Sequence, residues 1–517
     1  MRVSLRRSVS VVFVKLVLAA FLFCPRAQGD TTKANNSTAL NDGASWVGGV
    51  APGVNDVAIF DNTLTLNTFA NGTTPAPLGG DLSILGIRVG TANGGPALGQ
   101  ANNQNGILIS NGGANTLTLG ASGIDLSAAS AVPLDIQSRI LIGANQTWNV
   151  EQASNNISNP AGNSAGSSTN VFNFLQDEDL VFAAQAADNP FNLNGKTVNK
   201  TGTGTVLLHG GYLVSNGTIN VNNGFFVVQG GSNRTTTIAN TVTLNVNTGA
   251  VLRFQSNSGA MLSNATINLN DGGTLHMTTN NATLTTTVAG VLHVSGSAVV
   301  HAAPNPISTN NGNANNILSA NIIGDASSKL SLRNQNTNTT SAFVLSGDNS
   351  GFVGTATLDA PSGRGVVRMT TATAGSAAAT WVINAGNTLE VAGNTAVQLG
   401  TLNGDGTILN PTAVTTATIN VGAGTFNGAL SSAAGTLALN KIGAGTLTLG
   451  GSNSHTGGTT VAAGTLRLGS SSGLGSSNAA VAVNAGATLD LNSASPTIGA
   501  ITGTGTITNS AAASNSI

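Results

Sequence analysis

Residues 443–469 read GAGTLTLGGSNSHTGGTTVAAGTLRLG. Within them, Gly445-Thr446-Leu447-Thr448-Leu449-Gly450 returns nineteen residues later as Gly464-Thr465-Leu466-Arg467-Leu468-Gly469. Strand side chains alternate between faces, so Thr and Arg point to water while Leu points inward. The spacer between the copies is rich in Gly, Asn and Ser and carries no helical pattern. A βαβ unit is therefore excluded, leaving a hairpin array or a solenoid. A nineteen-residue return fits one coil of a parallel β-helix, with Leu447 stacked on Leu466 and Leu449 on Leu468. Each apolar side chain so buried contributes about 1.5–3 kcal/mol, and the solenoid is the reading we adopt.

The same writing recurs outward from this stretch. Thr63-Leu64-Thr65-Leu66, Thr116-Leu117-Thr118-Leu119 and Thr488-Leu489-Asp490-Leu491 are variants of it. Asn384-Ala385-Gly386-Asn387-Thr388-Leu389-Glu390 matches Asn484-Ala485-Gly486-Ala487-Thr488-Leu489-Asp490. Gly404-Asp405-Gly406-Thr407-Ile408 matches Gly503-Thr504-Gly505-Thr506-Ile507. NKTGTGTVLL at 199–208 echoes NKIGAGTLTL at 440–449. Asn and Thr at equivalent turn positions of stacked coils predict hydrogen-bonded ladders along the axis. About 20–24 coils at ~4.8 Å per rung predict a rod about 100–115 Å long.

Composition agrees. Of 517 residues, only 7% are charged and 4% aromatic, yet 40% are hydrophobic and 67 are Gly. Disordered chains are poor in apolar residues; β-branched residues with Gly and Asn turns suit repetitive β structure. Residues 1–29 read as a Sec-type signal peptide: Arg2, Arg6 and Arg7, an apolar run from Leu16 to Phe23, and Ala27-Gln28-Gly29 before Asp30. The run is short of the ~20 residues that span a membrane. The single cysteine, Cys24, lies inside this segment, so residues 30–517 can form no disulfide. Cleavage removes five basic residues and leaves 13 basic against 19 acidic, a net charge of −6. That charge excludes nucleic acid as a partner.

Residues 439–469 resemble the autotransporter-associated β-strand repeat of bacterial secreted and surface proteins. The resemblance is carried by Lys441, Gly443, Gly445, Thr446, Leu447, Leu449, Gly451, Asn453, Gly457, Thr459, Val461, Gly464, Thr465 and Leu466. His455 stands where the family more often has Tyr. Weaker copies lie at 198–228 and 345–358, and 44–61 resembles the opening of many such proteins. The resemblance implies a single-stranded right-handed parallel β-helix over 30–517 and a passenger-like role outside the cell. It implies no catalytic residues.

Parallel β-helices also host polysaccharide lyases and hydrolases, which need clustered carboxylates and bases. The densest acidic run is Asp177-Glu178-Asp179, read here as a solvated loop. His209, His276, His293, His301 and His455 have no metal-ligand spacing and are expected at the surface, some aligned in a ladder. Asp405 and Asp271, each beside Gly, read as turns. Gly202-Thr203-Gly204 and Gly443-Ala444-Gly445 lack the helix and Lys-Ser/Thr of a phosphate loop. Trp46, Trp148 and Trp381 read as coil-end or core residues. No catalytic, cofactor-binding or metal-binding residue is expected. The expectation is a monomeric, non-catalytic structural or adhesive rod, secreted or at the cell surface. Its expected partner is carbohydrate or extracellular matrix; a carbohydrate-active enzyme is the alternative.

Overall fold

A computed structural model describes residues 29–61, 64, 76–90, 107–110, 115–127, 134–151, 180–184, 189–231, 233–256, 259–279, 285–302, 315–335, 342–361 and 365–511. Among them the chain is almost wholly strand and turn, with two single 3-10 turns at Gly43–Ser45 and Ala372–Ala374. All pairings between named strands are parallel. Leu447 lies opposite Leu466 and Leu449 opposite Leu468, and all four are buried. The hairpin alternative is thereby excluded, and the chain is a β-solenoid.

Each coil has three sides. Tyr212–Val221 bends at Asn216, which has positive φ, and supplies the first and second sides; Phe225–Gly230 supplies the third. The next coil repeats this as Thr236–Ile238, Val242–Val246 and Val251–Ser256. The one after reads Met261–Ser263, Thr266–Leu269 and Thr274–Thr279. Side pairs with like side throughout, Leu213 with Thr237, Leu244 with Ile267, Phe254 with Met277. The inward residues of all three sides meet in one continuous core running along the axis.

The third side runs unbroken through eighteen strands, from Ala76–Pro77 to Thr506–Thr508. The rod is thus about 80 Å long at ~4.8 Å per rung, shorter than the coil estimate from the sequence. Coil length is not constant, and coils longer than the sequence estimate assumed explain the difference. Opposed residues are nineteen apart at Leu447 and Leu466, but forty-six apart at Leu134 and Leu180.

The hundred-residue echo carries a further surprise. Thr388–Val391 lies on the first side, stacked on Thr407–Asn410. Its sequence counterpart Thr488–Asp490 lies on the third, stacked on Thr506–Thr508. The turn is nevertheless the same. Asn387 N donates to Asn384 O as Ala487 N does to Asn484 O, both at 3.0 Å. Gly386 and Gly486 have φ of 78° and 79°, a left-handed conformation that glycine adopts without Cβ strain. One strand–corner–strand module thus serves two different corners of the triangle.

Candidate functional site

The polar residues of the repeat are the natural suspects for chemistry. Lys441 and Lys200 occupy equivalent places in the NK echo, at the inner end of a second-side strand, where neighbouring coils have Val421, Val461 and Val221. Both are fully buried. Lys441 Nζ donates to the carbonyls of Ile442 (2.6 Å), Gly443 (2.8 Å) and Ala463 (3.0 Å). Lys200 Nζ donates to those of Gly202 (2.6 Å) and Asn223 (2.9 Å). The Gly-x-Gly turns that might have suggested phosphate loops are therefore corners, holding an ammonium by their carbonyls. Desolvation lowers the Lys441 pKa.

Asn453 is another buried polar residue of the repeat. Its Oδ1 accepts from Leu430 N of the coil below (2.9 Å) and its Nδ2 donates to Gly473 O of the coil above (3.0 Å). Asn349, in the weaker copy 345–358, does the same between Ile322 N (3.0 Å) and Ala374 O (2.7 Å).

The histidines depart from expectation. His293 is exposed, as anticipated. His455 is buried inside the coil, its Nε2 3.0 Å from Thr459 Oγ1, and burial pushes its pKa down to about 4. The expected surface position is wrong because His455 falls on the inward phase of its segment, between exposed Ser454 and Thr456. His276 and His301 do form a ladder, opposite one another with rings 5.1 Å apart and 18° from parallel. They alternate with Leu275, Met277 and Val300, so they lie outside the core. They are nonetheless buried rather than at the surface.

These two histidines belong to a longer row on the outer face of the third side. It runs Leu207, Val227, Arg253, His276, His301, Arg333. Arg253 is buried, and desolvation lowers its pKa to about 10. Desolvation likewise brings His301 to about 4 and His276 well below the ordinary imidazole range. His301 Nε2 lies 2.8 Å from Gln335 Oε1. Arg333 Nε and Nη2 each reach Asp359 at 3.0 Å, and Ser331 Oγ donates to the same carboxylate at 3.1 Å.

A second polar array lies on the outer face of the second side, where the ladders expected at turns extend onto the strands. Thr197-Val198-Asn199, Thr218-Ile219-Asn220, Thr243-Leu244-Asn245 and Thr266-Ile267-Asn268 stack in register. Asn220 Nδ2 donates to Asn199 Oδ1 (2.7 Å), Asn245 to Asn220 (2.6 Å) and Asn268 to Asn245 (2.7 Å). A parallel ladder joins Asn247 to Asn222 and Asn270 to Asn247, each at 2.6 Å. Its signal was available in the sequence as Thr-x-Asn-x-Asn at 218–222, 243–247 and 266–270.

Other candidates resolve simply. Trp148 and Trp381 are core residues, the former against Phe182 and Phe191. Trp46 packs on Phe60 at the first coils and donates to Leu40 O at 2.7 Å. Asp271 is a turn residue accepting from Ser297 N at 2.7 Å. Asp177, Glu178 and Asp179 lie outside the described residues. Among the described residues no group of three or more His, Cys, Asp or Glu side chains could hold a metal ion. No helix among them is long and apolar enough to cross a membrane.

Compared with curated proteins and with solved structures, the chain matches none. Compared with family models, residues 439–468 match the passenger-associated-transport-repeat. Those residues are the coil whose lysine, asparagine and leucines have just been described. The chain is a β-solenoid protein of which one segment, residues 439–468, matches the passenger-associated-transport-repeat.

Proposed function

We propose that this protein is an exported, passenger-like rod that acts by presenting the outer faces of its coils, without catalysis. The observation that carries this reading is the use of the repeat's own polar residues. Lys441 and Asn453 bind backbone groups of adjacent coils, so the motif encodes a stackable unit rather than a reaction centre. The leader-like residues 1–29 and the passenger-type repeat support secretion or display at the cell surface. A monomer suits the continuous single core. Low charge with abundant Thr and Asn supports contact with carbohydrate or matrix polymers.

The enzyme alternative requires a carboxylate and a base facing one cleft. Arg333 with Asp359 is the pair that favours it, but the two close on each other as a bidentate ion pair. The test is direct. Expressed with its leader in a Gram-negative host, the chain is expected outside the cytoplasm with a new N-terminus at Asp30, read by mass spectrometry. Incubation of that material with a polysaccharide panel is expected to leave every polymer uncut; sustained turnover would overturn the non-catalytic reading.

A further inference from the structure

The third-side row of Arg253, His276 and His301 is buried, so it offers nothing to a partner from outside. The second-side array is different. Its row of four Thr and its row of four Asn, with Asn222, Asn247 and Asn270 beside them, are half-buried side chains pointing away from Ile219, Leu244 and Ile267, which are buried in the core.

A side-chain amide has two N–H donors and two acceptor lone pairs. Each interior rung residue, Asn220, Asn245 and Asn247, gives one donor to the coil below and takes one hydrogen bond from the coil above. One N–H and one lone pair remain on each amide. The ladder forces all of them to point the same way, at the rung interval of ~4.8 Å along the axis. Neighbouring rows of a strand stand two residues, about 6.6 Å, apart. Thr hydroxyls repeat on one margin of this lattice. Its rows contain no charged and no aromatic side chain.

We infer that this face binds the ordered surface of an insoluble, uncharged polysaccharide. The chemistry argues for that occupant. A hydroxyl both donates and accepts, which matches the leftover capacity of each amide. Neutral rows exclude a polyanion, and the absence of aromatic rings from the rows disfavours gripping a single soluble sugar by stacking. Shallow contacts repeated over four coils instead act together, because side chains locked in a ladder lose little rotamer entropy on binding. The array ends where Val291 and His293 replace Thr and Asn. This inference rests on the extracellular rod reading and names the surface that such a rod would engage.

The experiment is co-sedimentation of the purified mature chain with microcrystalline cellulose, chitin and insoluble β-glucan particles. Soluble oligosaccharides serve as competitors, and an ice-recrystallisation assay tests the other hydroxyl lattice. The variant Thr218→Lys/Thr243→Lys places charge and bulk on the face while leaving the core and the amide ladder in place. Thr357→Lys/Thr448→Lys does the same on the third side. Wild type and the third-side variant are expected to sediment with at least one polymer. The second-side variant is expected to bind about tenfold more weakly, about 1.4 kcal/mol, with an unchanged circular dichroism spectrum. Equal binding by both variants would overturn the face assignment. So would no binding to any polymer, or activity on ice alone. None of these outcomes touches the rod reading, which stands or falls on export and on turnover.

Discussion

Lys441 shows how a polar residue can look functional and be structural. An ammonium in a core position would be costly alone, but three carbonyls receive it. Lys441→Met keeps the stem and removes the donors, leaving those carbonyls unpaired. The expected loss is about 2–4 kcal/mol, seen as a lower urea midpoint and as earlier proteolytic cleavage near 439–468. His455 makes a pH prediction. Its folded pKa of about 4 lies below the ordinary value of about 6.5. Between those values the unfolded chain binds the extra proton, so His455 costs no stability above about pH 6.5 and destabilises as pH falls towards 4. The loss reaches on the order of 3 kcal/mol. His455→Phe is expected to flatten this part of the pH–stability curve, measured by denaturation at pH 7 and pH 4.5. If the acid sensitivity of the region is unchanged in that variant, the assignment to His455 fails.

At the scale of one strand, stacking of like on like carries the fold. Leu447, Leu466 and Leu489 lie one over another on the third side. Replacing Leu447 or Leu466 by Ala is expected to cost about 2–5 kcal/mol each. Because the two side chains share one stack, the double variant is expected to cost less than the sum, by about 0.5–3 kcal/mol in a double-mutant cycle. Additive losses would mean that the two do not touch. The alternation of Thr and Leu made this stacking legible before any coordinates. What alternation could not disclose is which outward residues are covered. His276 and His301 obey the same in–out pattern as Thr448 and Arg467, yet they are buried. Burial of an outer face depends on chain from elsewhere, and period-two reading sees only one strand at a time.

Over the whole molecule, the solenoid is close to one-dimensional, each coil touching its neighbours. Removing residues 447–465 takes out one full coil and brings Leu466 to the place of Leu447, in register. That deletion is expected to fold, with the rod shortened by about 4.8 Å in solution scattering. Removing ten residues from the same stretch should unfold the coils beyond, because inward and outward sets no longer align around the corners.

The amino-acid sequence alone determined that strands stack in parallel, where the strict repeat lies and that Asn ladders run along the axis. Those properties follow from alternation and return length, which are local. Only the tertiary structure decided that each coil has three sides, that the 384–390 and 484–490 blocks occupy different corners, and that Lys441 and His455 face inward. It also brought the four Thr-x-Asn segments into one array. The physical reason is phase. A corner can be turned by the same residues at any vertex of the triangle, so the side a strand joins depends on the summed lengths of all the coils before it.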